Sequence, residues 1–421
     1  MSAGLASAGA VIVGAGHGGS QAAVSLRQDG YSGPITLIGD EPGYPYHRPP
    51  LSKAFMKAGD DKLQPLRGEA MYLNHGIDYR PGTTVRALDL TGRRCILDTG
   101  ELPFGDLILA TGARPRALAI DGCEREGIFT LRTAADAQRI KRRMAASHHA
   151  VIIGGGFIGL EIAATMAVLG KRVTVLEIGE RLLARAISPV VSDHVLARLA
   201  ASGVDVRLGA QVSAFEGKTS VQAVAALSGE RFLADVVVVG IGAAPAVALA
   251  AEAGIRVDGG IVVDECLRTS ADRVFAIGDC ARFPHWPSQS LIRLESVQNA
   301  TDQARHVAQV ILGATTPYTA VPWFWSDIAD MKLQMVGLPI GADRHLVTGQ
   351  PSENAFSVYH FHGDDLVAID TVNRPADHML GRKMLASGYR PTEHDILSGR
   401  LSDAFRQWSA ASPAGGAIRS A

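Results

Sequence analysis

At 421 residues the chain exceeds what one hydrophobic core organises, about 250 to 300 residues, so two or three domains are expected. Hydrophobic residues make up 47% and charged residues 20%, and 41 Lys plus Arg nearly cancel 42 Asp plus Glu, which leaves no global field pointing to nucleic acid or an anionic membrane. The opening MSAGLASAGA lacks the basic residues and apolar run of a signal peptide, and Cys95, Cys123, Cys266 and Cys280 form no CxxC or CxxxxC pair, so a cytoplasmic protein with reduced, structural thiols is expected rather than a zinc, iron-sulfur or thiol-disulfide centre.

In chain order, Ala10 to Val13 reads as a short apolar strand ending in GAGHGG, with Gly14, Gly16 and Gly19 at GxGxxG spacing, and SQAAVSLRQDG keeps helical periodicity to Gly30. The next strand, PITLIGDE, brings Asp40 and Glu41 to where a ribose hydroxyl would be met. PYHRPPLSK follows, Pro45 to Lys53, its prolines fixing φ in a loop that presents Arg48 and Lys53. DLILATGARP, with Ala110, Thr111 and Gly112, reads as a strand leaving a nucleotide domain at a glycine turn, and KRR at Lys141 to Arg143 as a solvated face.

The strand, glycine turn and helix then return in AVIIGGGFIGLEIAATMAVLG, with Gly154, Gly156 and Gly159 around Phe157 and Ile158, and KRVTVLE ends at Glu177. One GxGxxG is a weak signal; two, each between a strand and a helix and each followed by an acid, make two dinucleotide sites, FAD in the first and NADH in the second. A carboxylate at Glu177 accepts from the 2′-hydroxyl of NAD and repels the 2′-phosphate of NADP. The apolar run VVVVGIGAAPAVALAA is too short for a membrane span and is interrupted by Gly240, Gly242 and Pro245, so it reads as a strand, a turn and a helix start. RVFAIGDC ends a strand at Gly278 and Asp279, an acid placed to accept from ribityl hydroxyls.

Together with ESVQNATDQ (Glu295 to Gln303) and PWFWSD (Pro322 to Asp327), these motifs resemble the FAD-dependent pyridine-nucleotide reductases of the glutathione-reductase fold, over about residues 10 to 380. Within that family, PYHRPPLSK, ESVQNATDQ and PWFWSD are similar to the bacterial ferredoxin reductases of the putidaredoxin reductase type. The resemblance implies an α/β fold: a discontinuous FAD domain (9–118 and 246–322), a NAD domain (119–245), a C-terminal α+β domain (323–410) and an unstructured tail (411–421). It implies electron transfer from NADH through FAD to a 2Fe-2S ferredoxin that feeds a haem-thiolate or Rieske oxygenase. Disulfide reductases of this fold carry a cysteine pair about where PYHRPPLSK sits, and the pair is missing here.

Arg48 is expected to hold FAD, and Lys53 to pair with Glu161 of the second fingerprint helix near flavin N5, since neither charge would be buried alone. Glu295, Ser296, Val297 and Gln298 are expected at the flavin, the helix starting near Ser296 turning its positive end to N1 and O2. Trp323 and Trp325 are expected to wall the isoalloxazine, with Phe324 facing away. FSVYHFHGDDLVAIDTV reads as two alternating strands around a Gly-Asp-Asp turn. Beyond it a short helix carries Arg374, Arg382 and Lys383, which with Arg305 would dock an acidic ferredoxin. An NADH oxidase, a rubredoxin reductase and an NADH-sensing flavoprotein like the apoptosis-inducing factors remain open alternatives, as do a monomer and a weak homodimer.

Overall fold

The computed structural model describes residues 8–411 except 287 and 289. The SPAGGAIRSA tail, expected to lack structure, lies outside the described residues. The chain forms two compact units, one of residues up to Pro50 with Lys62–Arg114 and Ala243–Ala320, the other of Leu51–Asp61, Pro115–Gly242 and the chain from Val321 onward. The segments expected as the NAD and C-terminal domains thus share one unit, and the chain changes unit inside PYHRPPLSK.

In the first unit the strands Ala10–Val13, Ile35–Ile38 and Asp106–Leu109 are buried along their whole length. Strands covered on both faces are nearly continuous apolar runs, which is what these are. They make a parallel sheet in the order Val274–Ala276, Asp106–Leu109, Ala10–Val13, Ile35–Ile38, Ile77–Arg80. The helices His17–Gln28 and Val297–Ile311 pack on one another, the second capped by Ser296, whose Oγ accepts from the Asn299 N–H at 3.0 Å. The second strand stops at Ile38, so Asp40 and Glu41, expected at its end, stand in the loop beyond it.

The second unit repeats the plan with a parallel sheet ordered Val204–Leu208, Arg172–Glu177, His149–Ile153, Val236–Val239, Ile128–Phe129. The apolar run from Val236 resolves into the strand Val236–Val239, a glycine turn, the strand Ala243–Pro245 and the helix Ala248–Glu252. Among the described residues no helix is long and apolar enough to cross a membrane.

The same unit carries a five-stranded antiparallel sheet in the order Trp323–Ile328, Met331–Gly337, Asp365–Val372, Ala355–His362, Arg344–Gln350. The expected hairpin is there, His362 opposite Asp365 across a turn at Gly363. Its strands do not alternate as expected; both are buried almost throughout. The reason is cover on two sides. Phe356 meets His194 of the helix Pro189–Ala201, while the neighbouring Ser357 donates to Asp377 of the helix Pro375–Ser387 at 2.7 Å. That last helix begins at Pro375, so Arg374 is its N-cap rather than one of its residues.

Candidate active site

The first fingerprint is a turn that only glycine can make. Gly14 has φ +109°, and a Cβ there would stand 2.2 Å from the Ala110 carbonyl oxygen. A Cβ on Gly19 would strike the Gly14 carbonyl oxygen at 1.8 Å, so this glycine lets the helix sit on the strand. At Gly16, by contrast, a Cβ would meet nothing within 4 Å. That open space lies at the start of the helix His17–Gln28, which has no side-chain cap and no acid in its first turn. Room at the positive end of a helix is the cradle a pyrophosphate needs, and the site fits FAD.

Around this turn the expected FAD residues are arranged as follows. Thr111 Oγ1 donates to the Ala246 carbonyl at 2.7 Å and the Ala246 N–H to the Gly112 carbonyl at 2.9 Å, which fixes the Ala110–Gly112 turn. Gly278 N–H donates to Gln303 Oε1 at 2.7 Å, so Gln303 locks the turn that presents Asp279. Asp40 is exposed. Glu41 accepts from Tyr46 Oη at 2.5 Å and from Arg48 Nη2 at 2.6 Å. Burial works against the Arg48 charge, but Glu41, then Tyr46 and Asp279, outweigh it and hold the guanidinium pKa above its usual value. Arg48, expected to hold FAD, is thus set between two acids of the FAD unit. At the Ser296 cap, Glu295 pairs with Arg293 at 2.7 Å, Gln298 donates to Asp302, and Val297 opens the helix.

The second fingerprint follows the same geometry. Gly154 has φ +104°, and a Cβ would come 2.5 Å from the Gly240 carbonyl oxygen. Gly159 is as tight against Gly154, while Gly156 faces space with only the Gly240 oxygen, 3.9 Å away. Glu177, the last strand residue, is pinned by two backbone donors: Gly155 N–H to Oε2 at 2.5 Å and Gly179 N–H to Oε1 at 2.7 Å. A carboxylate held this way is fixed in place with spare lone pairs at the strand end, as an NAD ribose requires. Gly242, φ +100°, accepts from Arg116 N–H at 3.0 Å, and Ile158 is 47% exposed beside the open glycine.

In the helix Phe157–Val168, Glu161 is only 6% exposed. Lys53 Nζ lies 2.7 Å from its Oε1, so the structure brings together the two residues expected to pair. Ser326 Oγ donates to Oε1 at 2.6 Å and Ser52 Oγ to Oε2 at 2.5 Å. Thr165 Oγ1 donates to the Ser52 carbonyl at 3.0 Å and anchors the loop to the same helix. A carboxylate this buried is tolerable only when paired and hydrogen-bonded, and here it has three donors. The two cations of PYHRPPLSK therefore serve different carboxylates, Arg48 with Glu41 in the first unit and Lys53 with Glu161 in the second.

Ser52, Thr165, Ser326 and Gln303 were absent from the sequence expectations. Ser52 and Gln303 lie inside PYHRPPLSK and ESVQNATDQ with no role assigned to them there, and Ser326 had a signal of its own: period-two alternation in PWFWSD puts it on the face of Phe324. Phe324 does turn away from its neighbours' face, packing on Phe157 at 4.7 Å between ring centroids, while Trp323 and Trp325 lie 5.5 Å apart on the other side. Arg382 covers Trp323 at 4.4 Å, and His378 meets the same ring edge-on at 5.4 Å. Burial, then the nearby Arg382 and Lys332 charges, push the His378 imidazole down to about 4, so it is neutral near pH 7. Of the expected docking cations, Lys383 is exposed, Arg374 pairs with Asp377 at 3.1 Å and Arg305 with Asp302 at 2.8 Å.

Two dinucleotide cradles, an acid fixed for NAD and no cysteine pair at the loop describe a flavin- and nicotinamide-dependent oxidoreductase. The comparisons agree. The family model "Pyridine nucleotide-disulphide oxidoreductase" matches residues 9–304 and "Reductase C-terminal" matches 323–401. The chain is 46% identical to rhodocoxin reductase of Rhodococcus erythropolis over 90% of its own length and 89% of that protein. Among solved structures it is similar to the ferredoxin reductase for the CYP199A2 system of Rhodopseudomonas palustris, with TM-score 0.92, 40% identity and coverage of 94% and 99% of the two chains. It is also similar to the covalent putidaredoxin reductase-putidaredoxin complex, with TM-score 0.88, 39% identity and coverage of 94% and 99%. The chain belongs to the pyridine nucleotide-disulphide oxidoreductase family, in the branch that carries the reductase C-terminal domain. Its cofactors are FAD and NAD(H).

Proposed function

We propose that this protein is an NADH:ferredoxin oxidoreductase, which takes electrons from NADH and passes them to a small 2Fe-2S ferredoxin that supplies a haem-thiolate or Rieske oxygenase. The observation that carries this reading is the Lys53–Glu161 pair, at 2.7 Å, on a loop where the disulfide reductases of the fold hold cysteines. All four cysteines are free thiols, and Cys95, Cys266 and Cys280 are buried. Burial pushes the Cys95 thiol up to about 12 and raises those of Cys266 and Cys280, so none of these three supplies a thiolate at neutral pH.

Bound FAD would supply the chemistry of a two-electron hydride acceptor that can pass electrons on singly. The protein's share is positioning and electrostatics. The glycine turns and helix starts seat the two pyrophosphates, and Glu177 selects NADH. The Ser296-capped helix offers its positive end to the negative charge that reduction creates. Lys53, balanced by Glu161, sets the rate of hydride transfer. Arg374, Arg382, Lys383 and Arg305 are the proposed contacts for an acidic ferredoxin. Cysteines kept as free thiols support a cytoplasmic location.

The test is NADH-driven cytochrome c reduction with and without purified ferredoxins, with rubredoxin, dioxygen and NADPH in parallel. Turnover that depends on a 2Fe-2S ferredoxin is expected. Equal rates with rubredoxin or dioxygen alone would name another acceptor, and slow turnover with every carrier would favour a sensor.

A further inference from the structure

Glu161 receives donors from three separate places, and they differ in what they can hold. Ser52 ends the 3-10 helix Pro49–Ser52 and Lys53 follows it as the N-cap of the short helix Ala54–Lys57, so any movement of this stretch of the PYHRPPLSK loop takes both away from the carboxylate together. Ser326 comes from elsewhere, the strand Trp323–Ile328 that opens the antiparallel sheet. Its side of the strand is pressed on the helix Phe157–Val168, with Phe324 on Phe157 one pleat away. Ser326 is 0% exposed, and its Oγ shares Oε1 with the Lys53 ammonium, at 2.6 and 2.7 Å.

We propose that Ser326 is a positioning residue for the Lys53–Glu161 pair: it fixes the Glu161 carboxylate from the C-terminal sheet, independently of the loop, so that the Lys53 ammonium is held at one place. The proposal rests on the reading that Lys53 sets hydride transfer. Removing the hydroxyl leaves the carboxylate with two donors that both belong to the loop. The space freed by one oxygen atom is too small for a bridging water to take over. Glu161 can then turn, and Lys53 with it.

Two measurements on the FAD-loaded enzyme separate this from a structural role. The first is competitive acetylation of Lys53, read by mass spectrometry without turnover. Ser326→Ala should raise its labelling about threefold or more, since a lost bond to a charged acceptor weakens the pairing. The second is anaerobic stopped-flow. The limiting rate of flavin reduction by NADH should fall about tenfold, with the apparent Kd for NADH unchanged.

Ser326→Thr, which restores the hydroxyl, should return both readouts toward wild type. In a Glu161→Gln background, Ser326→Ala should add little, because the charged acceptor is gone. Wild-type labelling and rate in Ser326→Ala, alongside a slow Lys53→Ala, would overturn the role of Ser326 and leave that of Lys53 standing. An unchanged rate in Lys53→Ala would instead remove the reading beneath it. Should Ser326→Thr fold poorly, a full Ser326→Ala effect persisting in the Glu161→Gln background would be enough to overturn the proposal.

Discussion

The two glycine fingerprints, residues 14–41 and 154–177, are built on one backbone plan and equipped differently. Gly14, Gly16 and Gly19 answer to Gly154, Gly156 and Gly159, with the same left-handed first glycine and the same open middle one. The strand ends also correspond, Gly14 N–H donating to Ile38 O and Gly154 N–H to Leu176 O. One residue further on they part: Gly39 stands where the second copy has Glu177. A Cβ at Gly39 would come 2.7 Å from the Ala15 Cβ, so no acid can occupy that register in the first copy. Its acids move into the loop, where Arg48 already occupies Glu41. A second difference lies on the helices, where Gln21 matches Glu161. Gln21 donates to Ser25 of its own helix and accepts from the exposed Arg67, whereas the buried Glu161 gathers Lys53, Ser52 and Ser326. The lesson is that the pyrophosphate cradle is generic, and what surrounds it separates a resident cofactor from an exchangeable one.

The largest way to break this comparison is Gly14→Ala. With φ +109° and the Ala110 oxygen 2.2 Å from the new methyl, the turn cannot close, and the purified variant should lack its flavin absorbance, whereas Gly154→Ala should keep the flavin and lose NADH binding. Next comes Lys53→Ala, which removes the cation from a buried carboxylate. Flavin reduction by NADH in stopped-flow should slow by about 100-fold, with FAD retained. Glu177→Ala sharpens the comparison at the strand ends: the ratio of kcat/KM for NADH over NADPH should drop by about tenfold or more, while the equivalent Gly39 offers no such selectivity to remove. The smallest effect belongs to Arg48→Ala, because Glu41 then also becomes free to accept. FAD should dissociate several-fold faster on dilution, about 1 kcal/mol of lost retention, with the NADH reduction rate little altered.

The α/β fold with two nucleotide-binding sheets was legible in the sequence because a GxGxxG turn, the strand before it and the helix after it are local in the chain. The polar surroundings of Glu161 were not. Ser326 is 165 residues away, and its hydroxyl becomes meaningful only when the antiparallel sheet docks on the fingerprint helix. The pairing of Lys53 with Glu161 was expected from resemblance and charge balance, not from any periodicity. The hairpin of Ala355–His362 and Asp365–Val372 was recognisable by its turn, but alternation misled, because helices cover both of its faces. Gly39 taught the same point in reverse: Asp40 and Glu41 were visible, but their displacement by a close approach to Ala15 was not.

The most direct test of a flavin acting without a sulfur partner is to count electrons. Anaerobic dithionite titration of the FAD-loaded protein should reach full reduction at about two electrons per FAD, since the flavin is then the only redox centre that fills. Uptake of about four electrons per FAD, with new thiols appearing on reduction, would reveal a disulfide relay and contradict the account.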